Sequence, residues 1–459
     1  MQKGVCCGGP APFEGLAGGN TRGLIRLLPV PIPLDIELFR GTIHGMRTLR
    51  NSPRILGGTF IFSLALSAQT FTTLYDFSSL DYGAYDPSVG GVIVGPRGEL
   101  YGVTGKGGRW NYGTVYELVP PSSSGGAWKE VVLHSFNGED GAYPNWGLTM
   151  GPSGTLYGVA GYPGASGAAF RLDPPTGTSA DWTYAVICKF TETDGEPYSP
   201  LVFGPPPGYS QSLFGITADG GGSGIVYELA PPAVAGGAWT QTTLYTFLGG
   251  SSSGSFPVGS LVVGTAGKLI GVASTGGYSG ECCGVVYSLT PPAALGAPWT
   301  EQTIHTFNGV DGNYPQAGLV RGPGGVLFGT TFGGGAGAAG TVFALLPPVT
   351  PGAPMTETIL YAFTGTTGNG FSPNSLALAA NGVLYGTTEY GGPDYGGTVF
   401  ELAPPASPGA GWTQTTLYYY NVGPGFEYGQ RLAVAPDGTV YGTAPGGTND
   451  VGMVFAITP

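Results

Sequence analysis

The chain has 459 residues, with 16 Lys+Arg against 28 Asp+Glu and a formal net charge of −12. So acidic a composition lacks the basic patch that nucleic acid or an anionic membrane surface demands. Glycine (87) and proline (41) are abundant, but 12% aromatic residues and regular apolar runs supply a core, which excludes a disordered low-complexity chain.

Residues 1–45 show no repeat and no periodicity and are read as a mis-assigned or disordered extension. From Met46 the chain takes the form of an export signal. A basic stretch, MRTLRNSPR, precedes an apolar run, ILGGTFIFSLAL, and a small-x-small site at Ala65-Leu66-Ser67. The apolar run is shorter than the ~20 residues that span a bilayer. Translation is therefore expected to start at Met46, residues 46–68 to act as a signal peptide, and the mature chain to begin near Ala68 with no transmembrane segment. Beyond residue 69 there are 9 basic and 25 acidic side chains, net −16.

The next run, TFTTLYDF (Thr70–Phe77), ends in an L-Y-x-F pattern. Its last aromatic returns at Phe136, Phe190, Phe247, Phe307, Phe363 and Tyr420, at intervals of 59, 54, 57, 60, 56 and 57 residues. Between these markers a second unit recurs: GELYGVTGKGGRWNYGTVYELV (Gly98–Val119), GVLFGTTFGGGAGAAGTVFALL (Gly325–Leu346) and GVLYGTTEYGGPDYGGTVFELA (Gly382–Ala403). Each copy holds four short β-branched or aromatic runs bounded by Gly, Pro and Asn, which is strand punctuation. No stretch after Thr70 shows apolar residues at helical spacing. Seven such copies predict an all-β fold, a seven-bladed β-propeller over residues 70–459 with four antiparallel strands per blade. The strands are lettered A to D from the axis outward. The array opens on a D strand (70–77) with no blade before it and stops on a C strand, GMVFAITP (Gly452–Pro459). The N-terminal strand is therefore expected to complete the last blade and remove its exposed edge.

Three cysteines follow the signal: Cys188, Cys282 and Cys283. They form no disulfide framework and no zinc spacing. Cys188 takes the Tyr place of L-Y-x-F and is read as a buried apolar side chain. Cys282 and Cys283 are placed in a B–C loop, where a strained bond, two thiols or a metal site are all open. His134 and His305 also take the Tyr place and are read as repeat variants in outer strands. There is no G-x-S-x-G elbow, no H-E-x-x-H and no phosphate loop.

The charges are uneven. The C–D loops are proline-rich and nearly uncharged. The D–A loops read NGEDGAYP (Asn137–Pro144), TETDGEPYSP (Thr191–Pro200) and NGVDGNYP (Asn308–Pro315). In a propeller the D–A and B–C loops share one face, and 14 of the 25 acids fall there against two bases, Lys106 and Arg109. Candidate ligand-binding residues on this face are Glu139, Asp140, Asp194, Asp311, Trp110, Tyr112, Tyr390 and Asp394. Aromatic rings beside carboxylates suit sugar rings, and clustered carboxylates suit Ca²⁺, although no D-x-D-x-D-G series is present. The competing reading is that Asp-Gly and Asn-Gly are turn formers in solvent. One aromatic recurs in every D–A loop (Tyr85, Tyr143, Tyr198, Phe256, Tyr314, Phe371, Phe426). Three of these are Phe, so that position is expected to pack.

The motif L-Y-G-T-T at Leu384–Thr388, followed by Gly391-Gly392 and G-T-V-F-E-L at Gly397–Leu402, resembles the GloVer tandem repeat of exported bacterial proteins, the "choice-of-anchor" family. The resemblance covers all seven copies, roughly residues 70–459, with Leu269-Ile270-Gly271 as its weakest version. It implies an exported or surface protein and transfers no site residues. Family members often end in varied anchors, and none is read here. The Gly-Gly after strand B and the Trp opening strand D (Trp128, Trp182, Trp239, Trp299, Trp412) are more loosely similar to kelch blades.

Together these features describe an exported binding or scaffold module that recognises an extracellular glycan or protein through its acidic D–A/B–C face. A polysaccharide hydrolase or lyase using loop carboxylates is one alternative, and a structural cell-surface or filament component is another.

Overall fold

A computed structural model describes residues 69–458, apart from 79–83, 88–89, 124, 163–164, 178–180, 205–207, 235, 251–253, 279–281, 295–296, 351–352, 367, 421–430 and 448–450. The expected extension (1–45) and signal peptide (46–68) lie outside the described residues. Seven four-stranded antiparallel sheets form the seven blades. In blade 6, strand A is Phe371–Leu378, B is Leu384–Tyr390, C is Thr398–Ala403 and D is Thr413–Tyr419. Blade 7 takes Ala433–Val434, Val440–Ala444 and Met453–Thr458 from the end of the chain and Thr70–Asp76 from its start. Thr70 pairs with Thr458 and Asp76 with Met453, so the N-terminal strand closes the ring as its sequence position demands. Helix among the described residues is limited to four one-turn 3₁₀ segments.

The repeated motifs acquire physical reasons at this level. The Gly of L-Y-G, in strand B, pairs in all seven blades with an aromatic of strand C; Gly329 faces Phe343 and Gly386 faces Phe400. The aromatic ring lies across the glycine: a Cβ on Gly329 would sit 2.5 Å from Phe343 Cζ. The final aromatic of L-Y-x-F is buried in every blade. It meets the strand-C aromatic of the next blade edge-on or tilted: Phe77 meets Tyr116 at 5.1 Å, Phe136 meets Phe170 at 5.3 Å, Phe307 meets Phe343 at 5.1 Å and Phe363 meets Phe400 at 5.4 Å. The circuit closes through Tyr420 and Phe455 at 6.4 Å. Each buried ring contributes roughly 1.5–3 kcal/mol by burial, and each ring pair about 0.5–1.5 kcal/mol more. These pairs are therefore the main glue between blades.

The Gly that opens G-T-V performs two tasks. Its φ is positive in all seven blades, from 83° at Gly284 to 121° at Gly167, which turns the chain into strand C where only glycine fits easily. Its carbonyl accepts a hydrogen bond of 2.9–3.1 Å from the backbone N–H of the D-strand aromatic, from Phe77 to Gly452 through Tyr420 to Gly397. The Thr pairs flanking the B–C loop bond across it: Thr104 with Thr114 at 2.9 Å, Thr331 with Thr341 and Thr388 with Thr398 at 2.8 Å.

Two boundaries differ from the sequence reading. Strand B of blade 6 runs to Tyr390, which pairs with Phe371. In blade 4, strands B (Leu269–Tyr278) and C (Cys282–Thr290) extend past the motif, so the two cysteines begin a strand and do not lie in a loop. Glycines 276, 277 and 284, all with positive φ, let this hairpin lengthen. Cys283 is buried and disulfide-bonded.

Candidate functional site: the D–A/B–C face and the axial channel

Three of the D–A loops are built around one carboxylate each. Asp140 accepts from the Asn137 N–H at 2.9 Å, Asp194 from the Thr191 N–H at 2.9 Å, and Asp311 from the Asn308 N–H at 2.9 Å. Each also reaches the outer strands. His134 Nε2 lies 3.0 Å from Asp140, His305 Nε2 lies 3.3 Å from Asp311, and Gln241 Nε2 donates to Asp194 at 3.0 Å. Burial by itself would raise the Asp140 and Asp311 carboxyls, but the bonds from histidine and backbone outweigh it and hold both below the usual range. Three of the candidate acids thus close their own turns, and the two histidines reach two of them, Asp140 and Asp311, from the outer strands.

The remaining candidates are spread round the rim. Glu139 is exposed, its N–H donating to Asn137 Oδ1 at 2.8 Å. Trp110 is 47% exposed, with the Arg109 guanidinium 5.0 Å from its ring. Tyr112, in the same B–C loop, meets Tyr143 of the following D–A loop at 5.7 Å. Tyr390 stacks on Phe371 at 5.2 Å, and Asp394 is exposed. Elsewhere on the face the backbone of the exposed Glu196 meets the Asp219 carboxylate. The Glu196 N–H donates to Asp219 Oδ1 at 3.0 Å, and burial together with the Asp219 charge raises the Glu196 carboxyl. Among the described residues, no three of His, Cys, Asp and Glu converge as a metal-binding group.

The D–A aromatics divide between two roles. Phe371 packs, whereas Tyr143 and Phe256 are 43% and 46% exposed. Tyr143, Phe256 and Tyr314 each adopt positive φ immediately before a proline, an unfavourable combination. Their N–H groups donate to the preceding blade's B–C segment: Tyr143 to Tyr112 O (2.8 Å), Phe256 to Ser223 O (2.9 Å) and Tyr314 to Cys283 O (3.1 Å). The strained turn therefore stitches neighbouring blades together while turning the side chain outward.

A cavity of about 670 Å³ lies on the axis, within the range of small-molecule sites. Its mouth on the D–A/B–C face carries Trp146, Tyr198 and Phe256; the Trp146 and Tyr198 rings are 4.0 Å apart. Gln316, Arg321, Asn374 and Arg431 line it, with Ser260, Ser375 and apolar strand-A residues. Sequence reasoning missed these four polar and aromatic side chains (Trp146, Gln316, Asn374, Arg431). Trp146, Gln316 and Arg431 precede strand-A segments of two or three residues, too short to show a period, and Asn374 sits inside the eight-residue strand A of blade 6. The available signal was positional: each falls one to three residues before the core Leu of its strand.

Comparison with curated proteins yields no match. Among solved structures, the β-propeller domain of Cps50 (Swd1) from Myceliophteria thermophila is 10% identical, covering 84% of this chain and 99% of that one, with a TM-score of 0.48. A protein of unknown function from Dyadobacter fermentans is 12% identical, covering 86% and 100%, with a TM-score of 0.42. The PQQ-bound aldose sugar dehydrogenase of Streptomyces coelicolor is 13% identical, covering 68% and 93%, with a TM-score of 0.42. Such distant likeness carries no argument about activity. In sequence, the profile of the Gloeobacter/Verrucomicrobia repeat matches three times, over residues 37–204, 178–370 and 297–459. Spanning the ring from before its closing strand to the last residue, these matches identify the chain as a member of the Gloeobacter/Verrucomicrobia repeat family.

Proposed function

We propose that this chain is an exported binding or scaffold module that recognises an extracellular glycan or protein at its D–A/B–C face, with the mouth of the axial channel as the seat of the ligand. The observation that carries this reading is the cavity of about 670 Å³ whose mouth bears paired aromatic rings, Trp146 and Tyr198. Flat rings at a polar rim suit the faces of sugars or the side chains of an inserted loop. Export is supported by the expected cleavage near Ala68, which leaves the closing strand Thr70–Asp76 whole. The test is depletion of the purified chain by a panel of insoluble polysaccharides. Retention on one of them, lost in Trp146→Ala, supports the reading. Retention on none, or retention indifferent to Trp146, overturns the channel mouth as the glycan seat.

The raised Glu196 carboxyl beside Asp219 favours a second reading, a glycan-cleaving enzyme in which Glu196 is the proton donor. Release of reducing ends that is abolished in Glu196→Gln would support it, and their absence on every retained glycan would reject it.

A further inference from the structure

We propose that the axial channel holds a carboxylate-bearing sugar, the uronate of an acidic glycan, through the guanidinium of Arg431. This rests on the reading above that the channel is the ligand's seat, and it names the class of ligand.

The argument begins with register. In each blade strand A sends one apolar residue into the core: Leu319 in blade 5 packs over Gly329, and Leu432 in blade 7 packs in the same way over Gly442. The residue just before it borders the axis. In the other six blades that residue is Gly, Gly, Pro, Ser, Gly and Ser, from Gly91 to Ser375. In blade 7 it is Arg431. A long cation therefore occupies a level that the rest of the ring keeps small, while the cavity's other guanidinium, Arg321, donates to Val263 O at 3.3 Å.

Arg431 is half-buried, yet it makes no hydrogen bond or ion pair with any described residue. Its burial alone depresses its proton affinity. A guanidinium stays charged in proteins, and a partly desolvated charge gains from a charge-assisted partner. This chain has nearly twice as many acids as bases, and no acid stands among the described residues lining the channel. A ligand carboxylate supplies such a partner, and the planar fork of arginine fits it through two parallel hydrogen bonds.

The companions of Arg431 suit a hydroxylated molecule. Gln316 Oε1 lines the same cavity, buried and without a hydrogen-bond partner, and so offers itself to a hydroxyl donor. Asn374 is 3% exposed; its Oδ1 accepts from Thr387 Oγ1 at 2.7 Å, which leaves its NH₂ free to donate. Trp146 and Tyr198 at the mouth give the next ring of a chain a face to lie on.

The test is calorimetric titration of the purified chain with digalacturonate, its dimethyl ester and inorganic phosphate, in wild type, Arg431→Gln and Arg431→Lys. The expected result is binding of digalacturonate, at least 10-fold weaker binding of the ester, at least 10-fold loss in Arg431→Gln and partial retention in Arg431→Lys, with affinity falling as salt rises. Equal binding of acid and ester, or unchanged binding in Arg431→Gln, overturns the proposal. So does binding of phosphate alone, which would mark an anion site not built for sugars. Urea unfolding of the same variants supplies a second arm. Because Arg431 has no partner among the described residues, Arg431→Gln should unfold at or above the wild-type midpoint; a clear drop would reveal a structural partner and overturn the argument. Neutral glycan retained equally by wild type and Arg431→Gln would leave the binding face standing while the uronate assignment fails.

Discussion

Replacing Gly329 by Ala sets two effects against each other. Gly329 has an ordinary strand backbone, so local propensity favours Ala, by roughly 0.5–1 kcal/mol. The structure says the reverse. The new Cβ would lie 2.5 Å from Phe343 Cζ, 2.9 Å from Phe343 Cε1 and 2.9 Å from Leu319 Cδ2, where ordinary contact is 3.4–4 Å. Phe343 cannot retreat, because it is fully buried and held edge-on by Phe307 of the preceding blade at 5.1 Å. Overpacking of this kind costs typically about 1–3 kcal/mol, so the net expectation is a loss of about 1–2 kcal/mol. The assay is urea unfolding of four proteins: wild type, Gly329→Ala, Phe343→Leu and the double variant. Leucine lacks the Cε and Cζ atoms that collide, so the double variant should lose less than the two single losses added, giving a coupling of about 1 kcal/mol or more. Gly411→Ala, where a Cβ meets nothing within 4 Å, serves as the control and should be neutral or stabilising. A Gly329→Ala midpoint at or above wild type would refute the claim that the L-Y-G glycine exists to admit the strand-C ring.

Three further outcomes are expected. Burial raises the Glu357 carboxyl to about 7, with the His305 charge opposing and the Asp311 charge adding to the rise. A folded-state value above the ordinary 4.5 means the folded protein binds the proton more tightly, so stability should fall as pH rises from about 4.5 to about 7. Glu357→Gln should flatten that slope and be more stable than wild type at pH 8 by about 1–2 kcal/mol after allowing for solvent screening, with no gain at pH 4.5; parallel pH profiles would contradict this. Cys188 is half-buried with its thiol pushed up to about 11 by burial and the Asp194 charge, so it should react with a maleimide at pH 7.5 only on unfolding; prompt labelling of native protein would be the contrary result. Deleting Thr70–Phe77 removes the D strand of blade 7 and the Phe77–Tyr116 contact, so the variant should lose its cooperative unfolding transition or self-associate through the bared edge. A monomer of wild-type stability, by light scattering and urea unfolding, would show that closure adds nothing.

The fold was legible in the sequence because every blade repeats the same local bargain within a few dozen residues. The glycine of L-Y-G, the aromatic of strand C, the glycine of G-T-V and the aromatic closing L-Y-x-F contact one another within a blade or across one interface, so their spacing is written into each copy. Ring closure was legible for a related reason: a D strand without a blade and a blade without a D strand have one mutual solution. The acidic loops were legible as chemistry but not as geometry. Only the folded chain shows that Asp140, Asp194 and Asp311 close their own turns, two of them with histidines the sequence assigned to outer strands. The axial channel was not legible at all. Its lining comes from strand-A segments more than 50 residues apart, some only two residues long, such as Val202–Phe203 and Ala433–Val434. Such segments leave no periodic trace, and an arginine amid small residues reads locally as one more surface charge. Only the convergence of the blades on their axis sets Arg431 in the wall of a cavity, because that placement is a property of the ring and not of any repeat.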